Sequence, residues 1–316
     1  MYLPLFRGRQ YELIALREMV QENLLSHKIV PIIEPVKLSS SLIKTLSKFI
    51  ETNKEIAIIL NPEVGNFLNE LYDDNNNQLS DKFFEICQND NIKLLFYLSS
   101  DYDFEKKLKE FSCKEIGVIF KNTDSIPIYE EFFSKINTKY NLIPEQSIFK
   151  RKVKEPKILL SDKFNKRDRN NDYLQVEDEP FSDDHLYYSI DGYEGFSDYS
   201  IIGNQFNKAG FAPYAVAIHI VYFDTSASLR IRHFVSDSNE DISDQAGKFE
   251  EALGKLLEWS EKININTWAI NIFRDLNERG AYPGLGSVKK LSIMHHLELM
   301  SKYMDGHINV DLWKLF

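Results

Sequence analysis

Cysteine is nearly missing from this chain: Cys87 and Cys113 are the only two in 316 residues. Two thiols are too few for a disulfide framework or a thiolate metal site, and such usage fits a reducing cytoplasm. Long apolar runs are missing as well. The longest, around Tyr214 to Phe223, is about half the ~20 residues a membrane helix requires, so no membrane association is expected. Ahead of Arg7 the chain offers only Tyr2 to Phe6, too short for the apolar core of a secretion signal. No EF-hand spacing, HExxH, GxSxG or Walker A pattern occurs, so none of the chemistries those motifs position is legible. The early His and Glu-x-Asp pair of a glycerophosphodiesterase-like barrel is also lacking, since Arg7 and Glu34-Pro35-Val36 stand there instead. Positive charge is in deficit, with 38 Lys and Arg against 48 Asp and Glu and a formal net charge of -10. This argues against wholesale binding of nucleic acid or anionic membrane, so any anion site must be local.

What is present in the first 160 residues is an alternation. Short apolar runs (YLPLF, IVPIIEPV, IAIIL, KLLFYL, IGVIF, a weaker one within Tyr140 to Phe149, and KILLSD) are separated by amphipathic stretches such as Gln10 to Leu25 and Ser39 to Glu51. Runs at this spacing predict βαβ units around a parallel sheet. An eighth strand is available at Asp198 to Gly203, and eight close a barrel. The expected fold is therefore α/β, a TIM-barrel-like domain over 1–203. Over 204–316 we expect an appended subdomain with a β-hairpin (Pro213 to Asp224 and Leu229 to Ser236, joined by TSAS) and helices at Asp244 to Lys262, Trp268 to Glu278 and Ser287 to Met304.

Functional groups of a parallel barrel sit just beyond the C-terminal ends of its strands. The residues there are Arg7 and Arg9 after the first run, Glu34 and Lys37 after the second, Asn61 after the third and Lys121 after the fifth. Asp162, Lys163, Arg167 and Arg169 follow the seventh. Arg7, Arg9, Lys37, Lys121 and Lys163 against Glu34 and Asp162 leave a net +3 at this mouth, which suits a phosphate or carboxylate held by Arg forks. Ordinary polar loops account for polarity at strand ends, though not for its sign. The sharpest charge reversal lies between the last two expected strands. Eight Lys and Arg from Arg151 to Arg169 give way to a stretch, Asn171 to Asp198, with none. The acidic run Glu177 to Asp184 is a candidate Mg²⁺ site or a solvated lid over the mouth.

A hairpin folded symmetrically about Ser226 sets Phe223 against Leu229, Val221 against Ile231 and His219 against His233 on one largely apolar face, whereas a register slip of two residues separates the histidines. Two touching imidazoles there are either a hydrogen-bonded core pair or a metal-binding or acid–base pair. Pro283 to Ser287 ahead of the last helix is a candidate phosphate cradle, although a Ser287 N-cap explains it without a ligand. His295 and His296 fall about 100° apart on that helix and cannot share a site.

FRGRQYELIALRE, PIIEPVK, the KF-x-x-RDRNNDY segment, FSDDHLYY, GFSDYSIIG, PYAVAIHIVYF, LRIRHFVSDSNEDI and GLGSVKKLSIMHHLELM together span nearly the whole chain. They resemble a bacterial and prophage family labelled beta family proteins, found on mobile elements. The resemblance implies a neighbouring-gene partner with a PD-(D/E)XK nuclease-like look and a setting in phage defence; it assigns no catalytic residue. The resulting expectation is a cytoplasmic antiviral defence component binding an anionic ligand or nucleic-acid end at the mouth through Arg7, Arg9, Lys37, Asn61, Lys121, Lys163, Arg167 and Arg169. The alternatives are a stand-alone barrel enzyme on a phosphorylated or nucleotide substrate, with Glu34, Asp162 or Asp198 as acid, base or Mg²⁺ ligand, and a non-catalytic docking protein.

Overall fold

Each apolar run of the N-terminal half pairs in parallel with its successor. In the computed structural model, which describes residues 1–99, 102–111, 114–206 and 213–308, the strands are β1 Leu5–Phe6, β2 Ile32–Ile33, β3 Ile56–Ile59, β4 Ile92–Tyr97, β5 Ile116–Ile119, β6 Tyr140–Ile143, β7 Lys157–Leu160, β8 Asp178–Ser182, β9 Gly195–Ser197, β10 Ala217–Phe223 and β11 Leu229–Val235. Cys113 lies outside the described residues. By contact the chain forms two units, one of Met1–Gln21, His27–Asp162 and Tyr187–Tyr199, the other of Glu22–Ser26, Lys163–Leu186 and the residues from Ser200 on.

The first unit is an α/β barrel of the TIM type. Its parallel sheet runs β1-β2-β3-β4-β5-β6-β7-β9. The ends meet where Tyr2 bridges Phe196 in parallel, with Leu3 N–H donating to the Phe196 carbonyl at 2.9 Å and Leu5 N–H to that of Asp198 at 2.7 Å. Helices follow the strands because each has one apolar stripe. The Ser40–Glu51 helix buries Leu42, Ile43, Leu46 and Phe49, and the Ser39 hydroxyl caps it by accepting from Leu42 N–H; such a cap contributes about 1 kcal/mol.

Alternation along the strands decides what enters the barrel. Leu3 and Leu5, Val30 and Ile32, Ala57 and Ile59, Leu95 and Tyr97, with Ile119, Leu142 and Ile158, share one buried core. Counting on by two puts Arg7, Glu34, Asn61 and Lys121 in the next layer up, while on β7 the same step from Ile158 gives Leu160, so on four of the strands the barrel interior passes from apolar to polar within one residue pair. The opposite end is also closed by charge. The buried Lys93 ammonium lies 3.1 Å from Glu55 and 2.6 Å from Glu115, which also meets Lys139 at 3.1 Å.

The eighth strand lies earlier than the Asp198 to Gly203 expected. Gly195 is required at its start, since a Cβ there would come within 2.7 Å of the Met1 carbonyl. Ser200, at φ 48, ends the extended run, and Ser200–Ile202 is a 3-10 turn. A second correction concerns Lys163–Leu186. It is not a lid loop; its acidic run is strand β8, which pairs antiparallel with β11, so by contact this excursion belongs to the second unit rather than to the 1–203 barrel of the sequence reading. The sign change explains the pairing. Glu177 meets Arg232 at 2.7 Å, and Asp178 meets the Arg230 Nε at 2.6 Å and the Tyr222 hydroxyl at 2.6 Å, cross-strand charge pairs that match an acidic strand to a basic one.

The second unit is built on the antiparallel sheet β10-β11-β8 with helices Gln245–Lys262, Trp268–Glu278 and Leu285–Met304. The hairpin register is the expected one, including His219 opposite His233. The last helix begins at Leu285 behind Gly284, whose φ of 84 favours glycine, and no side chain caps it. Ser287 therefore lies inside the helix and is not its N-cap. Among the described residues no helix is long and apolar enough to cross a membrane.

Candidate functional site

The barrel mouth gathers part of the expected set. The Glu34 carboxylate, 1% exposed, accepts from the Arg7 guanidinium, from the Tyr97 hydroxyl at 2.9 Å and from Glu63 N–H at 3.0 Å. Glu12, at the start of the first helix, accepts from Arg7 N–H at 2.9 Å and holds the β1 loop in place. Asn61 pairs with the backbone of Tyr97 in both directions, at 2.8 and 2.9 Å. Lys121 is paired with Glu63 and lies 4.4 Å from the centre of the Tyr97 ring, while Arg7 stacks 5.3 Å over Tyr199. Burial pushes the Tyr97 and Tyr199 phenols up, and burial together with Arg7 pulls the Lys121 ammonium below its ordinary value.

This layer is largely self-neutralised, which corrects the picture of a net-positive mouth. Arg7 is matched by Glu34 and Lys121 by Glu63, and the second carboxylate was not in the sequence count. Lys37 and Asp162 are exposed and Arg9 is partly exposed. Asp198 is on the other face of its strand. It accepts the Tyr2 hydroxyl at 2.7 Å beside the stacked Tyr2 and Phe196 rings, so parity removes it from the group containing Arg7 and Glu34. Tyr97, Tyr199 and Glu63 were overlooked. Tyr97 was readable, as it stands two residues beyond Leu95, whereas Glu63 reaches the mouth through a loop with no period to count.

The remaining candidates fall in the second unit, and three of them, Arg167, His219 and His233, come together around Glu179. His219 Nδ1 and His233 Nδ1 are 2.7 Å apart, and His233 Nε2 lies 3.3 Å from Glu179 Oε1. The other Glu179 oxygen accepts from Asn165 at 3.1 Å and from Arg167 at 3.2 Å. The Tyr173 ring packs edge-on or tilted against both imidazoles, at 4.7 and 4.5 Å. His233 is buried and His219 half-buried. Burial, then His233 and Lys289, hold His219 well below the ordinary histidine value; burial also lowers His233, against the pull of Glu179.

His219 forms part of the wall of a cleft of about 230 Å³, together with Lys166, Arg167, Asn170, Lys289 and Ser292 and an apolar remainder. Three cations and no carboxylate line it, and one of the three, Arg167, is ion-paired with Glu179 at 3.2 Å. Lys163 meets Asp184 at 2.9 Å, and Arg169, exposed, has its N–H bound to Asp172 at 3.1 Å. The acidic run supplies ion pairs to Arg167, Arg230, Arg232 and Lys163, and among the described residues no group of three or more His, Cys, Asp or Glu is arranged to hold a metal ion. Glu179 was legible only as one carboxylate of the acidic run and not as part of a strand, since Pro180 argues against one. The strand is an edge one in the order β10-β11-β8, and an edge tolerates proline. Comparisons of the chain with protein-family models, with curated proteins and with solved structures yield no match, so the cleft is judged on its own geometry.

Proposed function

We propose that the protein binds a phosphate-bearing ligand, such as a nucleotide or the end of a nucleic-acid strand, in the cleft of its second unit. The observation that carries this is the lining: Lys166, Arg167 and Lys289 with no acidic neighbour in the wall. A volume near 230 Å³ is below the ~300 Å³ at which whole small-molecule pockets begin, which favours a terminal phosphate over a complete nucleotide. The resemblance to the beta family proteins adds the setting: a cytoplasmic component of anti-phage defence, prophage-borne, working with a nuclease-like neighbouring-gene product. The cleft is preferred to the barrel mouth because three cations and no carboxylate line its wall, whereas the carboxylates Glu34 and Glu63 stand within the mouth itself beside Arg7 and Lys121.

Fluorescence anisotropy with a 5′-phosphorylated oligonucleotide tests the binding. Affinity should fall as salt rises, and Lys289→Glu should weaken it at least tenfold while Lys37→Glu, in the first unit, leaves it within twofold. Equal affinity in Lys289→Glu would place the ligand elsewhere. The defence setting predicts co-purification with the neighbouring gene product and reduced phage plating, both lost in Lys289→Glu.

A stand-alone barrel enzyme remains the second reading, because the Arg7–Glu34–Tyr97 group lies at the end of the barrel where such enzymes carry out their chemistry. Turnover of a phosphorylated substrate that is abolished by Tyr97→Phe and untouched by Lys289→Glu would favour it.

A further inference from the structure

We infer that Glu179, His233 and His219 form a general-base chain that activates water against a phosphoryl group held in the cleft. This rests on the cleft being the phosphate site. The chain has a direction, set by hydrogen-bond chemistry. A carboxylate accepts hydrogen bonds, so the nitrogen facing Glu179, His233 Nε2 at 3.3 Å, carries the hydrogen. A neutral His233 then has its lone pair on Nδ1, and the 2.7 Å contact to His219 requires His219 Nδ1 to be the donor. The remaining lone pair falls on His219 Nε2, which has no hydrogen bond among the described residues, on a ring that lines the cleft. The reverse tautomer would set a lone pair of His233 against the carboxylate. The bond to the carboxylate thus selects one of two arrangements and leaves the lone pair on His219, the imidazole that lines the cleft with the three cations.

Both rings are held neutral by burial, so the base is in its working form at neutral pH. Attack proceeds with His219 Nε2 taking a proton from water as the water oxygen forms a new bond to phosphorus. The bond from phosphorus to the departing oxygen breaks with its electron pair, and that oxygen takes a proton from solvent. His219 later returns its own proton to solvent, and the sum is hydrolysis. The imidazolium formed on His219 is next to neutral His233, whose orientation and polarity are maintained by Glu179, itself held by Asn165 and Arg167. Lys166 and Lys289 oppose the charge that grows on the phosphoryl oxygens. His219 is the catalytic residue; His233 and Glu179 are positioning residues. The same pair in a purely structural role would need neither an acid-free wall nor a ring open to it.

Full-length protein assayed on bis(p-nitrophenyl) phosphate and on a 5′-phosphorylated oligonucleotide should turn over at least one of them. His219→Gln should lower kcat at least a hundredfold with oligonucleotide affinity kept within threefold. Glu179→Gln, which preserves shape and removes charge, should lower kcat about tenfold and displace the acid limb of the pH profile. The groups facing the His219–His233 pair that shape this limb are Lys289 from the last helix, Arg167 and Tyr173 from the preceding loop, and Asp178 and Glu179 from β8. Full turnover in His219→Gln overturns the inference. So does tight, Lys289-dependent binding with no turnover of either probe, an outcome that leaves the binding function standing. No binding at all removes both.

Discussion

Glu34→Gln is expected to lower stability by about 3–5 kcal/mol, the cost of stripping one partner from a buried ion pair. Glu34 is 1% exposed and Arg7 9% exposed, so the guanidinium left behind has little water to turn to. The amide also places a donor where Arg7 and the Tyr97 hydroxyl both need an acceptor. For a unit of this size each kcal/mol moves the melting temperature by roughly 2–4 °C, so calorimetry should show a fall of about 6 °C or more. The double variant Arg7→Met, Glu34→Leu removes both charges and should recover most of the loss. A Glu34→Gln protein melting within 1 °C of the parent would mean that Arg7 finds its counter-charge outside this pair, and the barrel mouth would again be a candidate anion site.

Acidification from pH 6.5 to 5 should destabilise the protein more steeply than its carboxylates alone would cause. His295 and His296 are fully buried, and burial pushes them down to about 4 and about 3. His295 is satisfied as a neutral ring, donating from Nε2 to the Val221 carbonyl at 2.7 Å with Nδ1 2.9 Å from the Thr267 hydroxyl; His296 Nδ1 pairs with Ser200 at 2.8 Å. Well above pH 6.5 both rings are neutral whether the chain is folded or not, and they add nothing to the pH dependence. Below it the unfolded chain takes up protons that the folded chain refuses, so stability falls with pH until the folded values are reached. Each ring contributes roughly 1 kcal/mol per pH unit, and by pH 5 the pair removes about 3–4 kcal/mol. His185, His219 and His233 are lowered too and act in the same direction. Thermal melts followed by circular dichroism at pH 7.5, 6.5, 5.5 and 5 check this. A melting temperature that is flat across the series, or a His295→Gln, His296→Gln variant with an unchanged slope, would contradict it.

The barrel was legible because its signal is local. A strand declares itself through period two and a helix through its stripe, and both are properties of neighbours in sequence. Counting by two from Leu5, Ile32, Ile59 and Ile119 also reaches Arg7, Glu34, Asn61 and Lys121, so the polar layer of the mouth was readable as a set. Its balance was not, because whether Arg7 is a waiting cation or half of an ion pair depends on a carboxylate 27 positions away. The hairpin was equally readable, and its folded register puts His219 against His233.

The sequence by itself determined the seven-fold strand–helix alternation and the presence of a hairpin; only the folded register shows that its two imidazoles meet. Only the tertiary structure decided that Asp178–Ser182 adds to β11, that Glu179 reaches His233 across 54 positions, and that Lys289 from the last helix shares a wall with Lys166 and Arg167. Periodicity is written along the chain, whereas charge compensation and cleft lining are decided by which surfaces pack together. An acidic segment interrupted by Pro180 carries no local mark that its place is at the edge of a basic sheet.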